Sequence, residues 1–129
     1  MKQNIDEELI DRLKLLKAED IIWTILIGLL LLSFYANKLE REYLNYDNHI
    51  SKEKYRHLQI FIFVVATLTY LFYALHAFQD LFKLKPTDNP EKIQHTYLSF
   101  IASVFVLTAG CIFIYIAVTD TELETEISL

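Results

Sequence analysis

His76 and Asp80 stand four residues apart toward the end of a long apolar run. On a helix, an imidazole one turn from a carboxylate can share a hydrogen bond or hand on a proton. Taking Thr69 as zero at about 100° per residue, Tyr73, His76 and Asp80 fall at about +40°, −20° and +20°, so the four make one narrow polar stripe. Such a stripe suits a proton relay, a cation site at the mouth of a cavity, or a polar clasp that fixes the rotation of a helix end. Its place near the end of the run favours the clasp, because transporters set their ionisable groups near the bilayer midplane. His95 offers a second imidazole on another segment, and a bis-histidine haem site would need both at one depth. His95 falls at the wet end of its helix, so no cofactor is expected. No carboxylate pair, no nucleophile with its base and no metal cluster falls at a shared depth, and no catalytic activity is expected either.

The element that must carry the stripe is His57 to Gln79, 23 residues without Asp, Glu, Lys or Arg. As a helix it would measure about 35 Å, enough to cross a hydrocarbon core about 30 Å thick. Two similar stretches flank it, Ile21 to Asn37 with 17 uncharged residues and Ile93 to Thr119 with 27. A soluble amphipathic helix is interrupted by charge every turn, because one face meets water. Here the charged residues, 22% of the chain, are confined to the ends and connections. The expectation is an all-α integral membrane bundle of three transmembrane helices, with spans near 21–37, 57–79 and 97–119. Polar groups within it should face protein, which would turn Thr69, Tyr73 and His76 inward.

Residues 1–20 read as an amphipathic helix ahead of the first span. Asn4 and Glu7 have capping-box spacing, and Ile5, Leu9, Leu13 and Leu16 share an arc of about 80°. This helix would rest on the bilayer interface or pack on a protein partner, and its acidic first turn favours the partner. A cleavable leader fits poorly, since these 20 residues hold six acidic and four basic side chains and Phe34-Tyr35-Ala36 lacks a small-x-small site. Thr24 and Gly28 have the small-xxx-small spacing that admits a neighbouring helix. Ser99, Ser103 and Gly110, with Val106 and Ala117, form a comparable seam on the third span. Ser51 is the expected N-cap of the second helix, and Asn89-Pro90 the N-cap and first residue of the third. Residues 120–129 form an acidic tail, read either as a solvated end or, from the alternation of Glu122, Glu124 and Glu126, as a strand for another protein's sheet edge.

Net charge is −5, with 12 basic against 17 acidic residues, so nucleic acid is not an expected partner. Cys111 is the single cysteine and cannot close a disulfide within the chain. Seven Lys and Arg fall on the N-terminal side of the spans and five on the other, which favours a cytoplasmic N-terminus and an external C-terminus.

The segments AEDIIWTILIGLLLLSFYANKLE and LSFIASVFVLTAGCIFIYIAVTD resemble small three-span membrane proteins of anaerobic Gram-positive bacteria. That resemblance implies a bacterial plasma membrane and brings no activity, cofactor or site residue with it. In outline the chain also resembles phage holins, an architectural likeness without a motif. The functional expectation is therefore a helix-packing subunit that self-associates or joins another membrane protein in the lipid bilayer. The alternatives are an oligomeric, holin-like pore or a small proton- or cation-coupled transport component. Dye leakage on induced expression would mark the pore.

Overall fold

The computed structural model describes the backbone of residues 2–120 and the side chains of residues 5–120. The expected acidic tail beyond Asp120 and the side chain of Asn4 lie outside the described residues. Three helices follow in order: α1 (Lys2–Tyr46), α2 (His49–Phe82) and α3 (Pro90–Thr119). Two of them, α2 and α3, are long and apolar enough to cross a membrane.

Helix α1 is one continuous rod of 45 residues, about 67 Å long. The division expected near residue 20, between an amphipathic lead-in and a first span, falls within this one helix. Nothing between Lys17 and Trp23 is a helix breaker: the stretch has neither Pro nor Gly, and its residues bond normally along the axis. Residues 2–20 therefore extend coaxially from the apolar part of α1.

The turn from α1 to α2 takes only Asp47 and Asn48, with Asp47 in the left-handed region at φ 49°. A short polar side chain tolerates that conformation better than a bulky one. Asn48 is the N-cap of α2, its side chain accepting from the backbone N–H groups of Ile50 and Ser51 at 3.1 and 3.4 Å. The cap expected at Ser51 thus sits three residues earlier. Ser51 is instead buried, and its hydroxyl donates to Glu42 Oε2 at 2.9 Å, tying the two helices together just above the turn. The start of α3 matches its sequence signal, with Pro90 opening the helix and Asn89 Oδ1 accepting from Glu91 N at 3.0 Å.

Ile22, Leu29 and Ala36 of α1 are buried at seven-residue intervals, Leu39 joins them, and Tyr43 continues the series. Leu29, Ala36, Leu39 and Tyr43 pack in one cluster with Tyr55, Leu58, Ile62, Val65 and Ala66 of α2. A spacing of about 3.5 residues keeps one seam facing its partner along two antiparallel helices, as in coiled coils. Helix α3 packs on a different face of α2, through Phe63 on Phe113 at 5.5 Å, Phe78 on Phe100 at 5.8 Å, and Gly110 against Thr67 and Tyr70.

Among the described residues the backbones of α1 and α3 stay apart, and each helix packs along α2. The reason lies on the helical wheel of α2. Residues 55, 58, 62 and 65 centre about 130° away from residues 63, 67, 70 and 74, so two helices seated on these faces are held apart. The arrangement is an open layer with α2 in the middle. Tyr70 sits between the two seams, packed against the α1–α2 core and beside Gly110.

Candidate functional site

The expected polar stripe begins inside the protein and ends at its surface. Thr69 is buried, and its hydroxyl donates to the carbonyl of Ala66 at 2.6 Å. This local bond answers the hydroxyl within its own helix and leaves nothing directed at a ligand. Tyr73 and His76 are half-buried, and His76 lies edge-on to Phe72 with centroids 4.5 Å apart. Asp80 is exposed. No hydrogen bond or ion pair joins His76 to Asp80 among the described residues, so the structure places the two groups on one face without clasping them. The stripe follows the α1-facing side of α2, on the line of Ile62 and Ala66. It runs out near the C-terminal end of α2.

The small-residue positions divide in the same way. Gly110 is buried where α3 lies against Thr67 and Tyr70 of α2, whereas a Cβ on Gly28 would meet nothing within 4 Å. Thr24 is exposed, its hydroxyl turned back to the Asp20 carbonyl at 2.9 Å. Ser103 bonds the Ser99 carbonyl at 2.9 Å, and Ser99 is exposed, so the upper half of the α3 seam is uncovered. Thr67 Oγ1 is buried without a hydrogen-bond partner beside Gly110, a hydroxyl whose place is set by packing.

A second polar grouping, not foreseen from the sequence, lies at the opposite end of α2, where the C-terminal turns of α1 and α3 meet its first turns. Tyr43 and Tyr55 place their rings 5.7 Å apart, and Gln59 donates to the Tyr55 hydroxyl at 3.0 Å. Arg56 Nη2 donates to the Val118 carbonyl at 2.9 Å. That carbonyl belongs to the last turn of α3, where backbone acceptors lack helical donors and the dipole is negative. One guanidinium thus holds α2 to the end of α3, while Ser51 and Glu42 hold it to α1. The signal in the sequence was an Arg at the edge of an uncharged run, but helical spacing gives no hint of a partner 62 residues away.

Burial of the Tyr43 hydroxyl, followed by the negative charge of Glu40, by Tyr55 and by Asp120, pushes its pKa from 10.0 up to about 12. Tyr43 stays neutral in the folded protein at pH values where it would ionise in the unfolded chain, so this contribution is complete below pH 10 and is lost as pH rises toward 12. Denaturation in detergent across that window should show wild type losing stability faster than Tyr43→Phe. Parallel curves would mean that the phenol is not held by this surrounding.

Among the described residues no group of His, Cys, Asp and Glu could hold a metal ion. Cys111 is exposed on α3. No family model matches the chain, and neither a curated protein nor a solved structure matches it.

Proposed function

We propose that this chain is a multi-pass protein of the plasma membrane that works by helix packing, as an accessory subunit of a larger membrane assembly. The observation that carries the reading is how little of its apolar surface the chain covers for itself. The most apolar 18 residues of α3 are only 11% buried, and Phe105, Ile112 and Tyr115 stand open along it. In water such a face would drive aggregation. In a bilayer it is simply the lipid side of a span, or the seat of another helix.

In this reading α1 also crosses, through residues 21–37, and the excess of Lys and Arg on the N-terminal side sets that end in the cytoplasm. The polar grouping around Tyr43, Tyr55 and Arg56 then falls at the opposite interface. Tyrosine and arginine suit that depth, because both keep an apolar body and a polar tip. The open layer leaves both outer helices free on most of their circumference, as an accessory subunit requires.

The test is membrane fractionation with alkaline wash, followed by labelling of single cysteines placed at Lys14 and Lys54 in a Cys111→Ser background. Retention in the membrane with labelling from opposite sides is the expected result. Recovery as a monodisperse soluble particle without detergent would end the membrane reading, and labelling of both positions from one side would end the crossing by α1.

A further inference from the structure

Counting back from the turn at Asp47 and Asn48, α2 runs out opposite about residue 13 of α1, so the first turns of α1 project beyond the end of α2. On this projection and the turn that follows it, Ile5, Leu9, Leu13 and Leu16 are 63%, 55%, 55% and 48% exposed. The apolar stripe is flanked by charges in a definite order. Asp6 and Glu8 stand beside its N-terminal half, and Arg12 and Lys17 beside its C-terminal half, all four exposed.

That order is self-complementary in one direction only. Two copies laid antiparallel about residue 11 set Ile5 on Leu16 and Leu9 on Leu13, each twice by symmetry. On the flanks, Asp6 then meets Lys17 and Glu8 meets Arg12 of the second copy, giving four opposite-charge pairs around four apolar layers. A parallel pair in register would instead set Arg12 beside Lys17 and Asp20 against Asp20, which repel. Because α1 continues without a break from this stretch into its apolar segment, copies in one bilayer with the same orientation can only be parallel.

We therefore propose that residues 5–17 pair antiparallel with the same stretch of a second copy anchored in a bilayer that faces the first across the cytoplasm, making the protein a homotypic tether between the cytoplasmic faces of two membranes. The proposal rests on the membrane reading above, which leaves residues 2–20 outside the hydrocarbon. With the pair centred on residue 11 and the bilayer edge near residue 20, the two surfaces would stand about 27 Å apart. Single contacts of this kind are weak, and many copies across one gap add up through avidity.

The experiment reconstitutes the full chain into phosphatidylcholine vesicles. Flotation comes first, and failure to float with lipid would sink the membrane reading separately from the tether. Wild-type vesicles should then cluster, raising the mean particle diameter by more than about twofold, and clustering should weaken as salt is added. Vesicles bearing Asp6→Lys with Glu8→Lys should stay dispersed, as should vesicles bearing Arg12→Glu with Lys17→Glu. Mixing those two populations should restore clustering, because every flank pair is again of opposite sign; the restoration also shows that both variants are folded. Dispersed wild-type vesicles would overturn the proposal. So would clustering that ignores the charge changes, which would mean that the apolar stripe inserts into the opposing lipid. A disulfide between two Leu9→Cys copies within one vesicle, in the Cys111→Ser background, would establish the parallel pair and overturn it as well.

Discussion

Gly110→Val separates α3 from α2. The first atom added at this position, a Cβ, would lie 2.6 Å from Thr67 Oγ1, 3.3 Å from Thr67 Cβ and 3.2 Å from Tyr70 Cδ2. Thr67 is β-branched and on a helix, so it has little freedom to turn away. The helices must part by a few tenths of an ångström to admit a methyl and further for the branched side chain. Overpacking of this kind costs about 1–3 kcal/mol. Between membrane helices the loss falls on close packing, which drives their association in place of the hydrophobic effect. Thermal denaturation in detergent should show a lower midpoint for Gly110→Ala and a lower one still for Gly110→Val. Adding Thr67→Ala should return part of the loss to Gly110→Ala, because it removes the nearest atom. Gly28→Ala is the control: with nothing near its Cβ it should keep wild-type stability or gain up to about 1 kcal/mol from helix propensity. Equal effects at the two glycines would show that α3 does not rest on α2 at Gly110.

Phe63→Ala empties the other anchor of the same interface. Phe63 is 1% exposed and stacks on Phe113 with rings 5.5 Å apart at 23°. In a water-soluble core a buried Phe→Ala change costs about 3–5 kcal/mol. In the proposed membrane setting the displaced surface meets lipid when the helices part, so the transfer part of that cost shrinks and the lost van der Waals contact remains. A loss of about 2 kcal/mol in detergent is expected, with Phe63→Leu recovering more than half. The ring-to-ring contact supplies a second readout. A Phe113→Ala change should cost less when Phe63 is already Ala than when it is Phe, and strict additivity would mean that the rings do not act together.

Much of this architecture is legible in residue order. Uncharged runs at 57–79 and 93–119 mark α2 and α3, and Asn89-Pro90 marks the start of α3. These signals are local, since capping and helix periodicity depend on neighbours within a turn or two. The N-cap of α2 was misplaced because Ser51 and Asn48 are both good caps. What separates them is the Glu42 carboxylate, which claims the Ser51 hydroxyl from another helix. Charge gives way to apolar residues near residue 20, and α1 runs through unbroken, because composition can change along a helix that has no reason to stop.

The polar stripe shows the same division. Spacing placed Thr69, Tyr73, His76 and Asp80 on one side of α2, and that side does turn toward α1. Whether neighbours on a stripe bond to one another depends on rotamers and on distances within a few tenths of an ångström. Thr69 turned to its own backbone, and His76 to Phe72. The Arg56 link to Val118 lay beyond any local signal, because it needs α3 already seated.

By itself the sequence determined that the chain is helical, where α2 and α3 lie, and that their surfaces are too apolar to face water all round. The tertiary structure alone decided that α2 takes the centre, that α1 and α3 stand apart on its two faces, and that Gly110 is a contact while Gly28 is not. The physical reason is range: helix formation is settled by groups a turn apart, whereas the choice of packing face is settled by shape between residues 40 or more positions apart, as at Thr67 and Gly110.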